Sequence, residues 1–128
     1  MTSDLEPLAR RAIACKGWRW MPGMRTTDAM RVVHDQPLYP GRPCAIREGA
    51  WVDIAPPRPL RDALPDLTDP ATLGCLLALV REARGESTGF LTPAKGGGWT
   101  YWTGLYQADY FHGDIEAEAL VAALEAAP

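Results

Sequence analysis

The sequence predicts an α+β fold: one antiparallel sheet of about four to six strands with three helices packed on it, in the order α-β-β-β-α-β-β-α. Three observations predict this class. A capping box opens an amphipathic run near the N-terminus, and an Asp-Pro pair opens a long apolar run in the middle of the chain. Short aromatic-rich segments bounded by Gly and Pro follow each of these runs and are typical of strands.

Each predicted helix has its own start signal. Ser3-Asp-Leu-Glu6 has the Ser-x-x-Glu form of a capping box, and apolar residues recur behind it at helical spacing, so a first helix is predicted from about residue 4 to 15. Asp69-Pro70 opens the apolar run 71–84 before Gly85, which predicts a core helix that is buried on several sides. Asp114 is predicted to start a closing helix.

Five segments have the composition and alternation of strands. Before the core helix they are Trp18–Met24, Ala29–His34 and Cys44–Ile54, the last with a turn at 47–49; after it they are Phe90–Thr92 and Trp99–Thr103. The Pro-rich stretch 37–43 is predicted to be a loop, and 55–65 an extended connection. In the strand at 99–103, Trp99, Tyr101 and Thr103 share one face while Trp102 points the other way, so some of these rings must be core.

The composition is that of one globular domain spanning residues 1–128, with 47% hydrophobic and 23% charged residues. No apolar run is long enough to cross a bilayer, and the N-terminus has no signal-peptide pattern, so a cytoplasmic location is expected. The three cysteines are odd in number and widely spaced, with no Cys-x-x-Cys pair. This pattern argues against a disulfide framework and a zinc site.

The charges are unevenly distributed along the chain. Residues 1–61 carry ten Arg and Lys against six Asp and Glu, a net charge of +4, whereas residues 62–128 carry three against ten, a net charge of −7. The simplest interpretation is that the two halves pack together and neutralise each other. The alternatives are that the Arg-rich half grips phosphate, or that the acidic half mimics a nucleic-acid surface toward a basic protein.

Three phrases of the sequence carry a resemblance: residues 17–25 (Gly-Trp-Arg-Trp-Met-Pro-Gly-Met-Arg), residues 65–83 around the Asp-Pro helix start, and residues 118–126. They look like small proteins of phages and prophages in high-GC bacteria. More distantly, the layout resembles the phage ABA-sandwich and NinX-like families. The resemblance implies a phage accessory protein acting in the host cytoplasm, and it transfers no catalytic residue.

Residues with catalytic or metal-binding chemistry are sparse. His34 and His112 are far apart and have no metal-ligand spacing. Of the thiols, only Cys44, between Arg42 and Arg47, could combine the exposure and the nearby positive charge that a reactive thiol needs. Lys95-Gly-Gly-Gly98 lacks the phosphate-loop form and is predicted to be a hairpin tip, which could serve as a flap over a ligand. No catalytic residue, metal ligand or cofactor is therefore predicted; a small metal-independent enzyme using His112 and Asp114 is the weakest hypothesis.

The set of residues that predicts a binding function combines arginine side chains with aromatic rings. Arg groups grip phosphates and aromatic faces stack on bases, although core and rim aromatics are the simpler interpretation. We predict a binding protein that sequesters a small nucleotide signal as a counter-defence factor; the alternative is an inhibitor or adaptor acting on a host defence protein through an acidic or aromatic surface. A homodimer is a further expectation, because small sheets leave edges to cover. The predicted ligand-binding residues are Trp18, Arg19, Trp20, Arg25, Arg31, Tyr101 and Trp102.

Overall fold

The computed structural model describes residues 5–35, 43–47, 58–59, 63–103 and 110–128, and these contain three helices and six strands. The predicted α+β class is confirmed. The elements in chain order are α1 (Leu5–Ile13), β1 (Met30–Asp35), β2 (Pro43–Arg47), β3 (Arg58–Pro59), α2 (Pro70–Arg84), β4 (Phe90–Pro93), β5 (Trp99–Trp102), β6 (Tyr110–Gly113) and α3 (Glu116–Glu125).

The prediction of a single sheet is wrong. The strands form two antiparallel sheets, β1-β2-β3 and β4-β5-β6, and β3 is only two residues long. The order after α2 also differs, since three strands precede α3 where two were predicted. The additional strand is β6, which is four residues long and was not predicted.

The strand predicted at Trp18–Met24 is also wrong. This stretch is a turn-containing connection that is followed by isolated bridges at Arg25 and Thr26, and its last residue, Met24, accepts the N–H of Val32 at 2.8 Å. Gly23 has a φ of +101°, a left-handed conformation that interrupts a strand, and its N–H donates to Val32 O at 2.8 Å. Most of the predicted strand at 44–54, with its turn at 47–49, and the loop at 37–43 lie outside the described residues.

The helix predictions hold within about two residues. α2 begins at Pro70 as expected, and Asp69 caps it by accepting the N–H of Thr72 at 3.0 Å. α3 begins at Glu116, because Ile115 and not the predicted Asp114 is the N-cap. Glu118 Oε1 accepts the N–H groups of Asp114 and Ile115 at 2.8 and 3.3 Å, which completes the start of α3. None of the described helices is long and apolar enough to cross a membrane.

The chain divides into two compact units. We call residues 1–19 and 76–128 the terminal unit, and residues 20–75 the central unit. The boundary falls inside α2, so this helix contributes its first residues to the central unit and the remainder to the terminal unit. The single-domain assignment stays a prediction.

In the terminal unit, α3 packs on β5 and β6 and on α1. The buried face of α3 consists largely of alanine and small aliphatic residues, which lets it lie close to the sheet. Gly113 is part of this close approach, because a Cβ there would lie 2.4 Å from Glu118 Cβ and 2.6 Å from Ala119 N. Arg11 on α1 donates two hydrogen bonds to the Glu125 carboxylate on α3, at 2.6 and 3.0 Å.

In the central unit, Met24, Val32, Ala45 and Leu67 are buried. The chain enters β1 through a tight turn in which Thr26 N–H donates to Met30 O at 2.8 Å, and Ala29 adopts a φ of +67°.

Candidate ligand-binding face

The structure does not bring the seven predicted ligand-binding residues together within one unit. Trp18, Arg19, Tyr101 and Trp102 belong to the terminal unit, and Trp20, Arg25 and Arg31 belong to the central unit.

The two predicted ligand-binding arginines of the central unit, Arg25 and Arg31, are held by aspartates that precede α2. Arg31 Nη1 donates to Asp69 Oδ2 at 2.8 Å and also to Gly23 O at 2.8 Å, and Arg25 pairs with Asp66. All four side chains are largely buried. Arg31 thereby ties β1 to the carboxylate that caps α2, so both arginines stabilise the unit.

The pKa values of the two aspartates reflect these contacts. Burial alone would raise the pKa of Asp66, but hydrogen bonds from Thr68 and Arg25, with the Arg25 charge, outweigh it and hold the pKa below its ordinary value. Burial likewise acts to raise the pKa of Asp69, and hydrogen bonds from Arg31 and Thr72 bring it below the ordinary value. Both carboxylates are thus ionised partners of the arginines at neutral pH.

The terminal-unit residues fall into distinct positions. Trp18 is half-buried, and the exposed Arg19 pairs with Glu82 of α2. Tyr101 is completely buried, and its hydroxyl donates to Glu86 Oε1 at 2.9 Å. Burial raises the pKa of Tyr101, and the Glu86 contact raises it further. The ring of Tyr101 is core, as the alternation in its strand predicts for one of the two faces.

Trp102 points to the opposite face of the β4-β5-β6 sheet, where an aromatic row crosses all three strands. Phe90 lies directly opposite Trp102, and Trp102 lies directly opposite Tyr110. Residues in such pairs share a face of an antiparallel sheet. The Trp102 and Tyr110 rings have centroids 5.4 Å apart at an interplanar angle of 42°, and Tyr110 is 60% exposed.

A polar row runs beside the aromatic row on the same face. Thr92, Thr100 and His112 are opposite one another, two residues along each strand. Trp102 Nε1 donates to Thr92 Oγ1 at 3.0 Å, and Thr100 Oγ1 lies 3.4 Å from His112 Nδ1. His112 is exposed. We call the surface made of these two rows the outer face: Phe90, Trp102, Tyr110, Thr92, Thr100 and His112.

The hairpin between β4 and β5 ends the outer face next to the polar row. Ala94 N–H donates to Gly98 O at 2.9 Å and closes the tip, which confirms the predicted hairpin at Lys95–Gly98. Gly97 and Gly98 have φ values of +103° and +79°, which only glycine adopts readily. A Cβ at Gly98 would lie 3.1 Å from His112 Nε2, so the tip borders the imidazole. Lys95 is exposed in this tip.

Trp102 is the one outer-face residue among the predicted ligand-binding residues, and His112 was considered only as a catalytic candidate. The signal that could have found Tyr110 and His112 is their spacing of two, which places both on one face of a strand. Their partners on β5 were not predictable, because the register across strands is set by the tertiary structure.

The described residues contain no group of three or more His, Cys, Asp or Glu side chains arranged to hold a metal ion. Burial raises the pKa of the Cys15 and Cys75 thiols, which disfavours the reactive thiolate. Beside the outer face, a shallow depression of about 310 Å³ is lined by Arg11, His112, Gly113, Asp114, Glu118 and Ala122. The side chains of Arg11 and Glu118 in it are engaged in the contacts to Glu125 and the α3 cap.

The difference in net charge between the two halves of the sequence does not become a difference between the two folded units. The terminal unit carries nine Asp and Glu against seven Arg and Lys, and the central unit seven against six, so their net charges are −2 and −1. Among the described residues, four ion pairs within the units join a basic residue of the first half to an acidic residue of the second: Arg11–Glu125, Arg19–Glu82, Arg25–Asp66 and Arg31–Asp69. The neutralisation expected as the simplest interpretation is therefore observed.

No protein-family model, no curated protein and no solved structure matches this chain. The candidate site consequently depends on the contacts of this chain's own residues, and the resemblance to phage families stays a prediction.

Proposed function

We propose that this protein is a phage-encoded accessory protein that binds a small nucleotide-like ligand on its outer face, and so sequesters a nucleotide signal in the host cytoplasm. The observation that carries the proposal is the aromatic row, in which Tyr110 is 60% exposed and the partly buried Trp102 lies beside it.

The chemistry of the outer face suits a nucleobase. Aromatic rings on neighbouring strands form a platform on which proteins stack bases, and each stacked base contributes about 1–3 kcal/mol. Beside the rings, the exposed imidazole of His112 provides a hydrogen-bonding group for the edge of a base or for a sugar. The hydroxyl groups of Thr92 and Thr100 are engaged by Trp102 and His112, and Thr100 is only 7% exposed.

This proposal moves recognition away from the arginines that the sequence favoured. Arg25 and Arg31 are engaged by Asp66 and Asp69, and the partners neutralise the charge that a phosphate would need. The outer face takes their place, and Trp102 belongs both to this face and to the predicted ligand-binding residues.

A thermal-shift screen against linear nucleotides, cyclic nucleotides and ADP-ribose derivatives tests the proposal. Ligand at 100 times its dissociation constant adds about 2.7 kcal/mol, which raises Tm by several degrees for a domain of this size. Tyr110→Ala should remove the shift, since it deletes an exposed ring from the row. Ile115→Ala is the matched control, because Ile115 is 40% exposed and lies outside the outer face. A shift that Tyr110→Ala leaves intact would refute the assignment of the site.

The alternative is a host protein bound through the same aromatic surface. Trp and Tyr are over-represented among the residues that dominate protein interfaces, and the exposure of Tyr110 favours this class as well. The acidic version of this hypothesis loses its basis, because neither unit is strongly acidic. No shift with any nucleotide, together with a Tyr110-dependent complex with a purified host defence protein, would favour this alternative.

A further inference from the structure

We infer that the ligand is a nucleoside 5′-diphosphate moiety lying along the outer face, with its base on the aromatic row and its phosphates at the Lys95–Gly98 hairpin tip. This inference rests on the proposed function and adds the direction of the ligand and the residue that recognises its charge.

The order of groups along β5 supports this direction. From the aromatic row to the hairpin, the outer face presents the rings of Trp102 and its partners, then the exposed imidazole of His112 beside the buried Thr100, and then the tip at Gly98. A nucleotide has the same order: a planar base, a sugar with hydroxyl groups, and phosphates. Each type of chemical group therefore meets its complement only when the base lies on the aromatic row.

The distance along the strand selects the length of the ligand. At about 3.3 Å per residue, Thr100 is roughly 7 Å from Trp102 along β5, and Gly98 is roughly 13 Å away. A sugar placed beside Thr100 leaves a further two residues of strand before the tip. Two phosphates in series bridge that interval better than a single phosphate does.

The hairpin tip has the properties of a phosphate contact. Lys95 is exposed, and its flexible four-carbon stem allows the ammonium group to reach toward the polar row. Gly96 is required neither by packing nor by conformation, since a Cβ there would meet no atom within 4 Å and its φ is not left-handed. An unhindered backbone permits close approach of a phosphate. Asp114 is exposed and follows Gly113, whose carbonyl oxygen borders Gly98, so a negatively charged residue also lies next to the tip.

Calorimetric titration of the full chain with adenosine, AMP and ADP tests the inference. Adenosine suits as the probe nucleoside because stacking tolerates any base. ADP should bind at least about tenfold more tightly than adenosine, the effect of one hydrogen bond to a charged group. Lys95→Gln should bring the ratio of the adenosine and ADP dissociation constants toward one and leave adenosine binding unchanged. Lys16→Gln, which removes another exposed lysine of the same unit, should preserve the advantage. Asp114→Asn should strengthen ADP binding and have no effect on adenosine.

The outcomes separate this inference from the proposed function. If adenosine and ADP bind equally, or if Lys95→Gln leaves their ratio unchanged, the phosphate contact at the tip is refuted and the aromatic platform stands. If none of the three compounds binds to the wild-type chain, the nucleotide-binding function itself is refuted, and the inference falls with it.

Discussion

Replacing Tyr101 by Phe removes one buried hydrogen bond and leaves the aromatic ring in the core. In the structure the Tyr101 hydroxyl donates to Glu86 Oε1 at 2.9 Å, and the same oxygen accepts from Arg84 Nε at 3.0 Å. The side chains of Arg84 and Glu86 are only 14% and 19% exposed. Arg84 also lies over the Phe111 ring, 5.1 Å from its centroid, so the hydroxyl belongs to a network that joins α2 to the sheet.

The expected loss is about 1.5 kcal/mol of unfolding free energy. A hydrogen bond to a charged group contributes about 1.5–3 kcal/mol, and the lower end applies because Arg84 remains paired with Glu86. Urea unfolding followed by far-UV circular dichroism measures the change, with the dependence on urea concentration unchanged between variants.

Tyr110→Phe is the matched control for this substitution. Tyr110 lies on the neighbouring strand and is 60% exposed, so removing its hydroxyl should change the unfolding free energy by less than about 0.5 kcal/mol. If Tyr101→Phe were as stable as this control, the hydrogen bond to Glu86 would contribute nothing and the reasoning would be refuted. Tyr101→Phe should also keep the nucleotide-induced thermal shift, because Tyr101 is not part of the outer face.

Three further predictions concern stability. The pKa of Asp69 lies below its ordinary 3.8 in the folded chain, so its contribution to stability is present above that value and is lost as the pH falls through the lowered pKa. Between about pH 5 and pH 2, urea unfolding should therefore show a smaller loss of unfolding free energy for Asp69→Asn, which retains an N-cap side chain, than for the wild-type chain. Gly113→Ala should cost about 1–3 kcal/mol because its Cβ would collide with α3, whereas Gly96→Ala should be neutral, and equal midpoints in urea would contradict this. Since α2 is continuous across both units, we expect one cooperative transition, and separate calorimetric peaks would show that the units unfold independently.

The α+β class, the core helix and the hairpin at Lys95–Gly98 were predictable from the amino-acid sequence alone. These features depend on signals within a few residues of one another. The Asp69 cap and Pro70 act on the first turn of α2, and the glycines of the hairpin adopt backbone angles that few other residues tolerate. Short-range interactions of this kind can be predicted without knowledge of the rest of the chain.

The contacts between residues far apart in sequence depend on the tertiary structure. Arg25 and Arg31 looked available for phosphate, but their aspartate partners lie 41 and 38 residues further along the chain. The division of the strands into two sheets, and the register that sets Trp102 beside Tyr110, likewise depend on pairing between distant segments. Alternation indicated that Tyr101 and Trp102 face opposite ways, but which of the two faces became the core was settled by the side of the sheet on which α3 packs.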